Sequence, residues 1–185
     1  GVVHQHDSVA HGPWYGSLSD RLLARLTARA IAASESVRRF CIEGRAVPDE
    51  RVVVWPSATR VWSRPVAGPG CDALRAQLGI PEGDQIVGTV TRLATGGGHR
   101  ILIAAAHRIL SLRPKTTFLI VGDGAERWAL EMAAERWEVS GRIRFLGMRE
   151  NPEELLGLLD CLVVPAVNDA VPVIALEAMA AGVPV

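Results

Sequence analysis

The feature that most constrains the fold is a regular alternation of short apolar runs and helical patterns from residue 84 onward. The predicted strands are residues 85–90, 117–121, 143–146 and 161–164. The predicted helices are residues 98–111, 126–138, 152–158 and 173–181. Short strands that alternate with helices are typical of a parallel, doubly wound α/β sheet. Because such sheets bind ligands beyond the carboxyl ends of their strands, the pattern predicts one cleft along that edge.

The first 60 residues show the same alternation less regularly. Strand-like runs are residues 2–4, 31–33 and 52–55, the last of which is predicted to be buried, and Ser34 is expected to cap a helix over residues 35–43. The proline- and glycine-rich residues 61–83 are predicted to be a linker with a short helix. We therefore expect residues 1–60 to be part of one α/β domain and residues 84–185 to be a second, with both ends cut from a longer protein.

Composition excludes several classes of protein. The net charge is zero, which argues against a dedicated nucleic-acid binder. Cys41, Cys71 and Cys161 are odd in number and contain no Cys-x-x-Cys, so a disulfide framework or a structural zinc site is not expected. No apolar run reaches the length of a membrane span. Free thiols and the lack of a signal-peptide pattern favour a cytoplasmic location.

The turn after the first strand of the second half carries the clearest candidate site. It contains Arg92 and three consecutive glycines, Gly96, Gly97 and Gly98, and it opens a helix. Glycines let a backbone approach a ligand, a helix N-terminus offers free N–H groups to an anion, and arginine can hold two phosphate oxygens. The alternative is an ordinary tight turn with a solvated arginine.

Two better-known phosphate motifs are absent. A P-loop requires Gly-Lys-Ser/Thr, and no lysine lies in this turn, since Lys115 is the only lysine of the chain. The dinucleotide fingerprint Gly-x-Gly-x-x-Gly fails at Gly122 and Gly124, because Arg127 stands where the third glycine belongs.

Two acidic residues near the end of the chain form a second candidate group. Asp169 lies on the loop after the last strand, and Glu177 lies eight residues later on an otherwise apolar helix. A partly buried carboxylate requires hydrogen-bond partners, and ribose hydroxyls would serve. The alternative is a Glu177 paired with a nearby arginine or with backbone.

Two weaker patterns lie in the first 30 residues. His4 and His6 share one face of a strand, so they indicate either part of a metal site or a hydrogen-bonding or acid/base histidine. Arg21, Arg25 and Arg29 follow the spacing of one helix face. That stripe predicts either a solvated surface or a peripheral contact with anionic lipid.

Taken in order, several segments resemble glycosyltransferase family 4, whose GT-B fold pairs two Rossmann-like domains. The resemblance covers nearly the whole chain. The segments that carry it are Ile31–Ser36, Trp55–Ala58, Gly88–Leu93, Leu119–Gly124, Phe145–Gly147 and Leu176–Val185.

The resemblance implies a retaining hexosyltransferase that uses a UDP- or GDP-sugar, with residues 1–60 on the acceptor side and residues 84–185 as the donor-binding domain. It implies catalytic roles for His6, Arg92 and Asp169. It further implies that donor contacts come from two groups of residues. These are the turn residues Arg92, Gly96, Gly97, Gly98, Gly122, Gly124, Gly147, Met148 and Arg149, and the acids Asp169 and Glu177.

The chain departs from the family pattern at several of these positions. The family has a lysine where this chain has Gly97, and a glutamate where it has Asp169; Ala170, Ala166 and Ser57-Ala58 also differ. The departures leave two alternatives, a non-catalytic nucleotide-sugar-binding relative and an interaction module on the same fold. No Asp-x-Asp occurs, so a divalent metal that bridges the diphosphate is not expected, and the resemblance implies no cofactor besides the donor sugar nucleotide. The piece alone is expected to be nearly inactive.

Overall fold

The structure is a computed structural model, and it describes residues 2–5, 24, 26–59, 69–149, 153–165 and 172–185. Within these ranges the chain divides into two compact units, Gly1–Ala58 with Asn168–Val173 and Thr59–Val167 with Ile174–Val185. Which unit faces the acceptor and which binds the donor stays a prediction.

The first unit contains a three-stranded parallel sheet. Its strands are β1 (Val2–Gln5), β2 (Arg29–Ala32) and β3 (Val52–Val54), in the order β1-β2-β3. Helix α1 (Glu35–Glu43) packs against this sheet, and its N-terminus is capped as predicted, since the Ser34 hydroxyl accepts from the Val37 N–H. Val37 and Cys41 on the buried face of α1 join the core of this unit.

Two predictions for the first unit are wrong. Arg29 is the first residue of β2 rather than part of a helix, and its guanidinium donates to the carbonyl oxygen of Glu50. The three-arginine helical stripe therefore does not exist as predicted, and Arg21 and Arg25 lie outside the described residues. The strand at 52–55 forms but is not buried along its length, because Val53 is exposed and Trp55, just beyond the strand, is 70% exposed.

The second unit contains a four-stranded parallel sheet with helices between its strands. Its strands are β4 (Gln85–Val90), β5 (Thr116–Val121), β6 (Ile143–Gly147) and β7 (Cys161–Leu162). Its helices are α2 (Pro69–Gln77), α3 (His99–Leu112), α4 (Arg127–Arg136), α5 (Glu153–Leu156) and α6 (Val173–Ala180). The strand order is β6-β5-β4-β7, so the predicted doubly wound α/β sheet is confirmed.

The central strand β5 separates the two cores of this unit. All six of its residues are buried, and alternate side chains point to opposite faces. Phe118 and Ile120 pack with residues of α3 and α4, whereas Leu119 and Val121 pack with α5 and α6. A strand that is covered on both faces carries a run of consecutive apolar residues, which explains why the position of β5 could be predicted from sequence alone.

A buried carboxylate ties together the amino-terminal ends of three strands. The side chain of Asp84, only 3% exposed, accepts hydrogen bonds from the Thr117 hydroxyl at 2.8 Å and from the Arg142 guanidinium at 2.7 Å. Asp84 precedes β4, Thr117 lies in β5, and Arg142 directly precedes β6. These bonds fix the edge of the sheet that lies opposite the predicted cleft.

We predict that Asp84→Ala lowers the free energy of unfolding by about 2 kcal/mol, because it leaves a buried hydroxyl without its acceptor. The partial exposure of Arg142 keeps the loss below that of a fully buried pair. Urea unfolding measures the change, and the exposed neighbour Glu82→Ala is the control, expected to have almost no effect. Equal midpoints for the two variants would contradict the prediction.

Candidate functional site

The strand order of the second unit creates a switch point between β4 and β7. The chain runs from β4 to β5 and β6 on one side and then returns to place β7 on the other side of β4. In open α/β sheets the crevice at such a reversal, beyond the carboxyl ends of the strands, is where ligands bind. The turn with Arg92 and the three glycines follows β4, so it lies at this crevice.

Close backbone contact joins the two turns that border the crevice. Gly98 has a left-handed backbone with φ of 70°, and a Cβ atom added to it would lie 1.9 Å from the carbonyl oxygen of Pro165, just after β7. Only glycine permits both this φ and this approach. The requirement for Gly98 is therefore explained by the packing of the crevice itself, independently of any ligand.

Backbone hydrogen bonds connect the turn after β4 to the turn after β5. The N–H of Leu93 donates to Asp123 O, and the carbonyl of Leu93 accepts from the N–H of Glu126, both at 3.0 Å. The Leu93 side chain is fully buried beneath them. A Cβ atom on Gly122, where φ is 131°, would lie 1.9 Å from the carbonyl oxygen of Thr91.

The turn after β6 joins the same network. The N–H of Gly122 donates to Gly147 O at 2.8 Å. Three predicted site segments, at 91–98, 122–124 and 147, are thus brought together by backbone contacts. Met148 and Arg149 follow Gly147 and are both exposed.

The N-terminus of α3 opens from this network toward the crevice. Gly98 is its N-cap residue and, having no side chain, makes no capping hydrogen bond. The first N–H groups of the helix are therefore not capped by a side chain, and the helix dipole makes this end favourable for an anion. Gly96 lies at the exposed tip of the turn, and Gly97 is half-buried behind it.

The two charged residues expected to meet on a ligand do not contact each other. Arg92 is exposed and Glu177, in the second turn of α6, is half-buried. Within the described ranges neither side chain makes an ion pair. Both charges therefore remain available, which is compatible with a shared ligand but does not demonstrate one. His6 and Asp169 lie outside the described residues.

His99 follows the three glycines. Its burial and its hydrogen bonding could not be predicted from the sequence. It is 1% exposed, and neither ring nitrogen has a hydrogen-bond partner among the residues that the structure describes. Burial lowers the pKa of His99 below its ordinary value, while the charge of Glu126 acts in the opposite direction. The imidazole is therefore neutral at pH 7. The adjacent Arg100 points elsewhere, because it pairs with Glu126 at 3.6 Å.

A groove of about 580 Å³ lies between α3 and α4 and is lined by Arg100, Ala104, Ala129, Met132, Ala133, Arg136 and Trp137. Within the described ranges, no group of three or more His, Cys, Asp or Glu residues is arranged to hold a metal ion. In those same ranges, no helix combines the length and apolar character that crossing a bilayer requires.

A doubly wound parallel sheet with a glycine turn and a helix N-terminus at its switch point defines the class of Rossmann-like α/β units. The particular family is shown by sequence: the chain belongs to the glycosyl transferases group 1 family, whose profile matches residues 71–185.

Curated relatives support the same family. The chain is 34% identical to a 2-deoxystreptamine N-acetyl-D-glucosaminyltransferase of Streptomyces fradiae over 98% of this chain and 42% of that protein. It is also 34% identical to a D-inositol 3-phosphate glycosyltransferase of Corynebacterium jeikeium over 63% of this chain and 31% of that protein. The chain thus spans less than half the length of these relatives.

Solved structures show the same fold. HepE of Anabaena, crystallised in complex with UDP and glucose, matches with a TM-score of 0.83 and 26% identity over 98% of this chain and 50% of that one. WaaG, a glycosyltransferase involved in lipopolysaccharide biosynthesis, matches with a TM-score of 0.74 and 21% identity over 99% of this chain and 55% of that one. The predicted GT-B type of fold is confirmed by these neighbours.

We predict that Gly98→Ala is far more destabilising than Gly96→Ala. Both glycines have positive φ, but a Cβ atom on Gly96 meets nothing within 4 Å, whereas one on Gly98 meets the Pro165 carbonyl. Gly96→Ala should cost about 1 kcal/mol from backbone strain alone, and Gly98→Ala more than about 3 kcal/mol. Urea unfolding of both variants measures the difference. Similar losses would show that the β4 and β7 turns do not touch.

The burial of His99 predicts a dependence of stability on pH. Because its folded-state pKa is below the unfolded value, the unfolded chain binds more protons, and stability is lost as the pH falls below about 6.5. The slope from this one group cannot exceed about 1.4 kcal/mol per pH unit, the limit for a single proton. Unfolding of wild type and His99→Gln across that range should show a steeper loss for wild type. Parallel curves would contradict a neutral, buried imidazole.

Proposed function

We propose that the protein containing this chain transfers a hexose from a nucleotide diphosphate sugar to an acceptor, with retention of anomeric configuration. The support for a sugar transferase is membership of the glycosyl transferases group 1 family over residues 71–185. The curated relatives are named as enzymes that transfer N-acetylglucosamine, glucose or another glycosyl group. Retention rests on the resemblance to family 4.

A uridine diphosphate sugar is the proposed donor. HepE, which matches this chain at about a quarter identity, has been crystallised with UDP and with UDP-glucose. The relatives do not agree on one acceptor, because their names include both 2-deoxystreptamine and inositol phosphate. We therefore propose the donor class and leave the acceptor open.

The observation that carries the proposal is the uncapped N-terminus of α3 at the switch point. A departing nucleoside diphosphate gains negative charge in the transition state, and donors fixed in place before the reaction stabilise that charge most effectively. In the proposal, the first N–H groups of α3, the Gly96–Gly98 turn and the exposed Arg92 face the diphosphate. The backbone network that fixes this turn supplies the preorganisation.

We assign the other parts of the donor to the residues that the topology and the resemblance place near the carboxyl ends of the strands. We assign the ribose hydroxyls to Glu177, since its carboxylate is half-buried and has no partner among the described residues. The base is assigned to the backbone at Gly147, Met148 and Arg149, with Gly122 and Gly124 lining the floor. Asp169 would face the diphosphate–sugar region, and His6 the transferred sugar. The last two assignments rest on the resemblance alone.

A non-catalytic relative that binds the same donor is the second candidate. The observation that favours it is Gly97, because the position at which the resemblance implies a phosphate-binding lysine has no side chain. In either case the proposal includes no metal and no cofactor beyond the donor. A cytoplasmic location is also part of it, supported by the free thiols of Cys41 and Cys161.

We predict that substitutions at Arg92 and Glu177 weaken different parts of donor binding. Arg92→Ala should lower the affinity for UDP by roughly tenfold or more and leave the affinity for uridine unchanged, because a charged hydrogen bond to phosphate contributes about 1.5–3 kcal/mol. Glu177→Gln should weaken UDP and uridine alike, because both carry the ribose. Calorimetry on the full-length protein measures the four affinities.

Two variants at residues outside the proposed donor site serve as controls. Arg108→Ala removes an exposed arginine from α3, and Glu82→Gln removes an exposed acid before β4; neither should change an affinity. Equal effects of Arg92→Ala and Arg108→Ala on UDP would exclude the proposed diphosphate site. Release of free sugar from UDP-glucose separates the two candidates, since binding without turnover favours the non-catalytic relative.

A further inference from the structure

We infer that the imidazole of His99 donates a hydrogen bond to a phosphoryl oxygen of the donor, in the place that Gly97 leaves without a side chain. The inference rests on the proposed function and names one more residue of its diphosphate site. Three observations carry it: the burial of the ring without hydrogen-bond partners, its contact with Gly97, and the pairing of its charged neighbours with groups other than the ring.

The first observation is that His99 carries two unsatisfied polar atoms in the interior. Buried polar side-chain atoms almost always have a hydrogen-bond partner, and an exception needs an explanation. His99 is 1% exposed, and within the described part of the chain both Nδ1 and Nε2 lack a hydrogen-bond partner. A neutral imidazole has one N–H donor and one acceptor nitrogen, so a phosphoryl oxygen would satisfy the donor.

The second observation is the contact between the ring and the glycine turn. A Cβ atom added to Gly97 would lie 2.7 Å from Cε1 and 2.8 Å from Nδ1 of His99. The Nδ1 edge of the ring is therefore packed against the Cα atom of Gly97. A side chain at position 97 would compete with the imidazole for this space, whereas glycine leaves the space to the ring.

The third observation is that the charged neighbours of His99 do not occupy its nitrogens. Glu126, from the turn before α4, acts on the ring through its charge but bonds Arg100 instead. Arg92 precedes the glycines in the same turn and makes no ion pair within the described residues. The helix N-terminus favours an anion at this end and opposes a second positive charge there. A neutral donor fits this position better than an imidazolium ion.

A role in packing alone is the competing explanation. An imidazole that only filled space could be replaced by phenylalanine, which has a ring of similar shape and no nitrogen, without a specific effect on phosphate. The two explanations therefore differ in one measurable property, the affinity for the diphosphate relative to the affinity for the nucleoside.

The experiment compares His99→Phe, His99→Gln and wild type in the full-length protein. UDP and GDP are titrated by calorimetry, each beside its nucleoside. His99→Phe should lower the affinity for the nucleoside diphosphate by about tenfold and leave the affinity for the nucleoside unchanged. His99→Gln keeps an N–H donor and should retain most of the affinity for the diphosphate. The control is His107→Gln, on the same helix, whose ring bonds the Trp137 carbonyl.

A measurement on the wild type tests the inference even if the variants fail to fold. Nitrogen-15 NMR of the imidazole should show one ring nitrogen of His99 shifting on addition of UDP and not on addition of uridine. Gly97→Ala, which displaces the ring, should weaken UDP as His99→Phe does.

The outcomes distinguish the inference about His99 from the proposed function on which it rests. If wild type binds neither UDP nor GDP, the proposed function fails and this inference fails with it. If wild type binds UDP and His99→Phe binds it equally, or loses UDP and uridine to the same extent, the donor site stands and the role of His99 is overturned. An unchanged ring nitrogen in the UDP complex overturns it as well.

Discussion

The backbone hydrogen bonds between the turns after β4, β5 and β6 are the constraint on which the rest of the second unit depends. They run from Leu93 to Asp123 and Glu126, and from Gly122 to Gly147. Because these bonds involve no side chains, the turns can carry a variable set of functional residues without losing their positions. The cost is a requirement for glycine wherever one backbone approaches another, as at Gly98 and Gly122.

Most of the second unit could be predicted from sequence because its signals are local. β5 contains the apolar run Phe118–Val121, and glycines follow β5 and end β6, so the apolar pattern and the turn signals indicate the same boundaries. The first unit was less predictable. Arg29 has the spacing of a helix with Arg21 and Arg25, yet it begins β2, since pairing with β1 and β3 outweighs a periodicity carried by polar residues alone.

The candidate site was predictable in its location and only partly in its chemistry. The position of the glycine turn follows from topology, because parallel strands place their carboxyl ends on one edge. The state of His99 does not follow, since burial and the lack of a partner depend on how α3 packs against Gly97 and the β7 turn. Gly98 illustrates the same limit: its sequence suggests a ligand-binding glycine, whereas its contact with Pro165 is a requirement of packing.

The central claim is that one diphosphate is held at the β4 turn while its ribose reaches the carboxylate of α6. A crystal structure of the full-length protein with UDP tests it most directly. The claim predicts phosphoryl oxygens within hydrogen-bond distance of Arg92 and the first residues of α3, and ribose hydroxyls within hydrogen-bond distance of Glu177. UDP bound in the groove between α3 and α4, or with its phosphates distant from the β4 turn, would contradict it.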